Sequence, residues 1–371
     1  MAGIYIHIPL CKRKCNYCDF YSRTDISLKG AILGAILDEL ERRRDFLPDK
    51  QMNTIYVGGG TPSLLVPSEI GDLIKRVAQL WDCSTLREVT VEVNPDDVDQ
   101  HWLHELRGQG VERLSIGVQS LVDRDLRCLG RRHGADKARQ AVLAAQRAGL
   151  GNISIDLIYG IPGMTMEEWD DNLARAIDLG VQHISAYHLT IEEDTPLGRM
   201  AARGEFSQVG ESESREQFDL LRERLAGAGY EHYEISNFAM PGYRSLHNSG
   251  YWLGEHYLGV GPSAHSYNGV QRSWSVADTE LYLAGGDIYQ TEELSAADKY
   301  NEHVMVSLRC SEGIDAGELR RRFGEEFAGH FERNATPLVR SGLLRHERGR
   351  YRIEGSNLLV SNSIIEALFF V

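Results

Sequence analysis

A chain of 371 residues is longer than one hydrophobic core usually organises, about 250–300 residues, so two structural units are expected. Its 42% hydrophobic and 25% charged residues are those of an ordinary globular protein, while a net charge of −14 argues against broad binding to nucleic-acid phosphates. No apolar run reaches the roughly 18 residues of a membrane span, and the first ten residues read as a strand rather than a secretory leader, so a reducing cytoplasm is the expected compartment.

The chain opens with the apolar run Ile4-Tyr5-Ile6-His7-Ile8, followed at once by Cys11-Lys-Arg-Lys-Cys15-Asn-Tyr-Cys18. Residues 27–44 place Ile32, Leu33, Ile36, Leu37 and Leu40 at helical spacing, with Ser27 as N-cap. A β-rich run over 54–57 ends in Gly58-Gly59-Gly60-Thr61-Pro62, and a helix over 67–80 follows. The alternation continues with strand 88–93, helix 99–107, strand 113–118, helix 135–148, strand 152–158, helix 166–179 and strand 183–189. Six β-runs alternating with helices predict an α/β fold of βαβ units around a parallel sheet, with right-handed crossovers that curl it one way. Eight units would need about 250 residues, so six predict an incomplete, open (β/α)6 TIM-like barrel.

Residues 238–266 are rich in Gly, Pro and Ser and read as a surface loop. Beyond them, helices are expected over 278–285, 296–310, 315–323 and 335–341, then a hairpin about Arg348-Gly349 and an amphipathic helix over 357–370. This order suggests a helical, winged-helix-like module. The acidic charge argues against DNA binding, and the module is expected to cover the barrel mouth or meet a partner. The expected organisation is a barrel unit over 1–236, a loop region over 237–275 and a C-terminal unit over 276–371. Arg42-Arg43-Arg44 and Arg320-Arg321-Arg322 read as solvated helix faces. Cys83, Cys128 and Cys310 read as buried core thiols.

Three cysteines at CxxxCxxC spacing can converge on one inorganic centre. Six cysteines in so long a chain are no disulfide framework. Structural zinc takes four closed ligands, which His7 could complete. An iron–sulfur cluster normally takes four cysteines, so three would leave one iron with an open position. Lys12, Arg13 and Lys14 keep the loop polar and favour thiolates. In parallel barrels, ligands sit at the C-terminal ends of the strands, where special residues fall one strand after another. Glycines 58–60 follow the second strand, and Glu92 and Asn94 close the third. Gln119 and Ser120 end the fourth, Asp156 lies late in the fifth, and Tyr187 and His188 end the sixth. Glycines let backbone approach a ligand closely. Glu92 and Asp156 can accept hydrogen bonds from hydroxyls or an amine, and Arg131 can fork onto a carboxylate.

The cysteine spacing, with Tyr17 before the third cysteine, resembles the radical S-adenosylmethionine (SAM) superfamily. There the open iron binds the amino and carboxylate groups of SAM. Tyr5-Ile-His-Ile-Pro-Leu-Cys11, Gly-Gly-Gly-Thr-Pro, Glu-Val-Asn-Pro, Ser-Ile-Gly-Val-Gln-Ser, Leu-Gly-Arg-Arg-His and Asp-Leu-Ile-Tyr-Gly-Ile-Pro-Gly resemble the oxygen-independent coproporphyrinogen oxidase family. The resemblance implies a 4Fe–4S cluster on Cys11, Cys15 and Cys18. It also implies SAM held by Tyr5, Tyr17, Gly59, Gly60, Thr61, Glu92, Gln119, Arg131 and Asp156.

That family has two branches: radical enzymes that decarboxylate coproporphyrinogen III, and heme chaperones of the HemW type. Phe20 stands where the enzyme pattern has a further cysteine, and no long extension precedes the first strand. His247-Asn248-Ser-Gly-Tyr251-Trp252 resembles the HNxxYW signature of the chaperones. These features favour a heme chaperone that retains the SAM–cluster site, with coproporphyrinogen dehydrogenase as the alternative, and leave open whether the chain is an enzyme.

Neutral imidazole is a common heme ligand, and Tyr and Trp suit a porphyrin edge. His247 is therefore the preferred axial ligand, with Asn248, Tyr251 and Trp252 beside it. An anchoring role for His247 competes with that reading, and His265 competes as ligand. Gly259-x-Gly261-x-x-Ala264 matches a dinucleotide fingerprint only superficially. The resemblance further implies delivery of heme to membrane respiratory hemoproteins and cluster-dependent dimers.

Overall fold

Strand β1 (Ala2–Ile8) is buried on both faces, as a strand covered on both sides must be. In this computed structural model, which describes residues 2–371, β1 pairs in parallel with β2 (Met52–Gly59). Strands β3 (Glu88–Val93), β4 (Arg113–Gln119), β5 (Asn152–Tyr159) and β6 (His183–His188) follow, each parallel to the one before. The connecting helices are Lys29–Arg42, Pro67–Leu80, Gln100–Gly108, Ala135–Arg147 and Met166–Asp178. Their starts use local chemistry. Pro67 occupies a first-turn position, Asp99 caps its helix, and Thr165 and Glu168 form a reciprocal capping box. An extra short helix, Asp123–Cys128, lies after β4. The alternating α/β plan is as expected.

The sheet extends past that plan on both sides. Strands β7 (Glu231–Glu234) and β8 (Asn237–Ala239) form an antiparallel pair on β6. On the other flank, β9 (His256–Val260) lies parallel to β1. It continues antiparallel through β10 (His265–Tyr267), β11 (Gln271–Ser275) and β12 (Tyr289–Glu293). Twelve described strands thus share one sheet.

Segment 237–275 is therefore not a loop region; it holds four of these strands and the helix Leu246–Trp252. Its glycines disguised it. A Cβ on Gly259 would lie 2.1 Å from the His265 carbonyl oxygen, and one on Gly261 2.4 Å from that of His7. Only glycine lets these backbones approach so closely. The turn after β9 leads into an antiparallel strand, not a helix, which disposes of the dinucleotide fingerprint.

Arg43 is not on a solvated face. It is buried, donates to the Gly259 carbonyl oxygen at 3.1 Å and pairs with Glu39 at 3.5 Å. Glu39 also accepts from the Tyr282 and Tyr289 hydroxyls and the Gly261 amide, so one carboxylate ties the helix Lys29–Arg42 to the added strands. Cys83, Cys128 and Cys310 are half-buried rather than buried.

Beyond β12 come helices Ala296–Leu308, Ala316–Phe323 and Glu325–Arg340, with a second sheet of β13 (Ile314–Asp315), β14 (Arg345–Glu347) and β15 (Arg350–Arg352). The hairpin turns at Arg348-Gly349, whose φ angles of 50° and 79° suit a tight hairpin turn. The helix expected over 335–341 is the end of a longer one that contains Pro337. The last expected helix resolves into a 3-10 turn, Gly355–Val360, and a short helix, Ser361–Glu366.

Helix Ala296–Leu308 packs on Leu246–Trp252, at the N-terminal ends of the parallel strands. The C-terminal unit therefore does not cover the cysteine end. The helix Thr279–Ala284 reaches that side, where the Tyr21 and Thr279 hydroxyls lie 2.9 Å apart. No helix among the described residues is long and apolar enough to cross a membrane.

Candidate functional site

The cysteine loop leaves β1 at Pro9 and is closed at its base by two backbone bonds, Cys11 N–H to Arg23 O (2.8 Å) and Arg23 N–H to Pro9 O (2.7 Å). Its tip is clamped by the Leu129-Gly130-Arg131 segment. The Asn16 amide donates to Leu129 O at 3.0 Å and its side chain to Cys128 O at 2.9 Å. Gly130 has φ +69°, and a Cβ there would strike Asn16 Cγ at 2.7 Å. Arg131 then reaches Cys15, its Nη1 donating to Sγ at 3.3 Å, while Nη2 donates to Gly117 O at 2.8 Å. The Thr61 hydroxyl donates to Cys11 Sγ at 3.3 Å.

Cys11, Cys15 and Cys18 line one cavity of about 640 Å³ at the C-terminal ends of the strands. Tyr17, Gly59, Gly60, Thr61, Glu92 and Gln119 line it too, as do Arg131, Asp156, Tyr187 and His188. Two expected rim residues are elsewhere. Tyr5 stands deeper in the sheet, its hydroxyl 3.0 Å from His7 Nδ1. Ser120 is 0% exposed and donates to Asp125 at 2.9 Å, a structural contact.

Sequence reasoning missed Ser263, which enters the cavity from beyond β9 with φ +67°. Its only signal is that backbone angle, invisible in the residue string. Gln119 also has a positive φ, +68°, at an irregularity in the β4–β5 register. Such bulges re-aim a side chain.

The glycines serve the protein's own packing before any ligand. A Cβ on Gly59 would lie 2.7 Å from the His7 ring, on Gly58 3.0 Å from the Glu92 carboxyl, and on Gly60 2.6 Å from Leu10 O. The Gly59 amide donates to Glu92 at 3.0 Å, and the Tyr56 hydroxyl donates to its other oxygen at 2.8 Å. Burial pushes Glu92 up to about 7 despite these donors, with the nearby Asp156 adding to the rise. Asp156 is pushed up to about 6, again by burial first. Two acids held part-protonated opposite a guanidinium would gain their charge by facing a cationic ligand.

The basic run does not hold Cys18 as a thiolate. Lys12 is taken up by Asp97 at 2.6 Å, and burial pushes Cys18 up to about 11. Among the described residues, no three His, Cys, Asp or Glu side chains come close enough to share one metal ion. Both ring nitrogens of His7 are engaged, by Tyr5 Oη and by Tyr21 O, each at 3.0 Å. A zinc site completed by His7 is therefore set aside. Thiols spread around a cavity suit separate irons of a cluster, and the buried Arg131 Nε, which has no protein partner, suits a ligand carboxylate.

The HNxxYW segment lies at the opposite end of the strands. Ser245 caps its helix, and Glu88 accepts the amides of Leu246 (2.9 Å) and His247 (3.1 Å). His247 is 4% exposed. Its Nδ1 bonds Thr54 Oγ1 and its Nε2 bonds Tyr251 Oη, both at 2.8 Å. Its ring stacks on Tyr56 with centroids 5.1 Å apart. Burial lowers its pKa to about 3. In this arrangement both nitrogens are taken, so the imidazole is an anchor in the sheet floor rather than an exposed ligand on a loop. Asn248 is half-buried in the same helix. His265 is exposed on β10, stacked on Trp274 at 5.7 Å. Tyr251 and Trp252 line a second, smaller cavity of about 190 Å³.

The Radical SAM superfamily model matches residues 5–176, and the HemN C-terminal domain model matches residues 294–359. A heme chaperone HemW from Mycobacterium tuberculosis (strain CDC 1551 / Oshkosh) is 34% identical, over 99% of this chain and 94% of its own. The chain belongs to the HemW family. HemW of Bacillus subtilis (strain 168) is 30% identical over 99% of both chains. Coproporphyrinogen III oxidase (HemN) from Escherichia coli, a radical SAM enzyme, superposes with a TM-score of 0.85 over 99% of this chain and 90% of its own. At 22% identity that match shows a shared fold. As radical SAM proteins, HemW-family members carry a 4Fe–4S cluster and SAM as cofactors.

Proposed function

We propose that this protein is a cytoplasmic heme chaperone: it binds a 4Fe–4S cluster, SAM and heme, and hands heme to target hemoproteins, membrane respiratory enzymes among them. Cys11, Cys15 and Cys18 hold the cluster. Arg131 meets the SAM carboxylate, Glu92 and Asp156 take its amine and ribose hydroxyls, and Tyr17, Gly59, Gly60, Thr61 and Gln119 complete the pocket. The cluster leaves one iron coordination site for SAM. The chain's own part is to hold that nucleotide and to keep two acids poised to ionise against its positive charge.

One observation carries the heme reading. The HNxxYW helix presents Tyr251 and Trp252 to a cavity separate from the cysteine cavity, so the two ligands do not compete for space. His247 acts through Tyr251, whose hydroxyl it holds, and Asn248 belongs to the same helix.

In this reading residues 1–236 form an incomplete (β/α)6 barrel, supported by six parallel strands in chain order. Residues 276–371 form a winged-helix-like unit, supported by the β14–β15 hairpin beside its helices. Cluster loading favours a homodimer.

The test is a heme titration of the cluster-loaded protein. One heme per chain, with a Soret band, is expected. Absence of binding, together with anaerobic turnover of coproporphyrinogen III in the presence of SAM, would replace this reading with that of a dehydrogenase.

A further inference from the structure

The smaller cavity lies where helix Leu246–Trp252 meets helices Ala296–Leu308 and Ala316–Phe323. Three of its features are only partly satisfied within the protein. His303 lines it, and only its Nδ1 is engaged, weakly, by Arg322 Nη1 at 3.4 Å and Ser307 Oγ at 3.5 Å. Its Nε2 has no hydrogen-bond partner among the described residues. Burial, with Arg322 second, lowers its pKa to about 4, so the ring is neutral at pH 7; while Arg322 donates to Nδ1 the ring proton sits on Nε2, and it moves to Nδ1 once Arg322 turns away.

The second feature is charge. Lys299 and Arg322 line the cavity, and neither forms an ion pair among the described residues, although the chain carries 54 acidic residues against 40 basic ones. Arg272 is already paired with Glu302 and bonded to the Tyr257 hydroxyl. The remaining acid at the rim is Glu255.

The third is Trp252. Its Nε1 is buried without a partner, and the adjoining Leu253 is 69% exposed, giving a flat apolar wall that opens to solvent.

One neutral imidazole, two unpaired cations and an indole wall match one occupant, an iron porphyrin with two carboxylates. Building on the heme-chaperone reading above, we infer that heme docks in this cavity, with His303 Nε2 as the axial ligand to iron and Lys299 and Arg322 on the propionates. Arg322, drawn to a propionate, leaves Nδ1–H free to donate to Ser307, the tautomer that points the Nε2 lone pair at iron. A cavity of about 190 Å³ takes one edge of the macrocycle and leaves the rest exposed, which suits a carrier that must release its cargo.

Ferric heme is titrated into the cluster-loaded full chain, wild type and variants, and followed by the Soret band. His303→Ala is expected to shift the band and weaken binding at least about tenfold, with free imidazole restoring the band position. Arg322→Glu is expected to weaken heme but not iron protoporphyrin dimethyl ester, which lacks the carboxylates. An unchanged band and affinity in His303→Ala overturns the assignment, as does loss of the band in His265→Ala instead. No binding by the wild type sinks the chaperone reading itself, so the two failures are distinct.

Discussion

Replacing Gly130 by alanine should loosen the cysteine loop while leaving the sheet intact. Gly130 sits at φ +69° with Asn16 Cγ 2.7 Å from where a Cβ would be. A left-handed alanine costs about 1–2 kcal/mol. Asn16 must also retreat, giving up its 2.9 Å bond to Cys128 O, worth about 1 kcal/mol. The sum, about 2–3 kcal/mol, falls on the loop because Asn16 ties it to Cys128 and Leu129 and also accepts the Leu197 amide at 2.9 Å. That corresponds to a roughly 30–160-fold rise in the opening equilibrium. The assay is iron release from the reconstituted cluster to a chelator, with urea unfolding in parallel. Gly108→Ala is the control, since a Cβ there meets nothing within 4 Å. Chelation should accelerate by about the same 30–160-fold in Gly130→Ala and not in Gly108→Ala. Equal rates in the two variants would refute the clamp.

Cys15→Ser should abolish the iron–sulfur absorption, whereas Cys310→Ser, at a half-buried thiol that does not line the cavity, should leave iron content unchanged. Glu92 and Asp156 are pushed up to about 7 and about 6, so the folded state holds more protons than the unfolded one between about pH 4 and 7. Their contribution to stability is complete below that window and lost as pH rises through it. The urea midpoint of the apo protein should therefore fall from pH 5 to pH 8, and Glu92→Gln should flatten the slope; a steeper slope in that variant would contradict the assignment. Glu88→Ala removes both acceptors at the start of the Leu246–Trp252 helix and strands the buried Arg113, 4.0 Å away. A loss of about 3–5 kcal/mol by urea unfolding is expected, and less than about 1 kcal/mol would mean the helix is held elsewhere.

The parallel core was readable because its signals are local and periodic. Helix Pro67–Leu80 matches its expected bounds, fixed by Pro67 at the start. The cavity was readable because strand ends collect ligand residues whatever their order along the chain. The flanking strands were not, since β8 and β10 are three residues long and β9 carries a glycine, Gly259, that only a neighbouring backbone explains. His247 shows the same limit. A histidine beside tyrosine and tryptophan reads equally as ligand or anchor until Thr54, distant in the chain, is found on its other nitrogen. Arg322 and His303 carried no signal at all, because the cavity that joins them is assembled from separate helices and strands.

The parallel alignment of β9 against β1 has a practical corollary for anyone dissecting the chain. Ending a fragment at residue 236, where the barrel unit was expected to stop, would strip β1 of one partner and bare a row of unpaired amides and carbonyls beside Ile4 and Ile6, both 0% exposed in the intact fold. Such an edge is a template for self-association. The metal-binding half cannot be excised as a free-standing piece, and aggregates from such a truncation would report on the cut rather than on the cysteines.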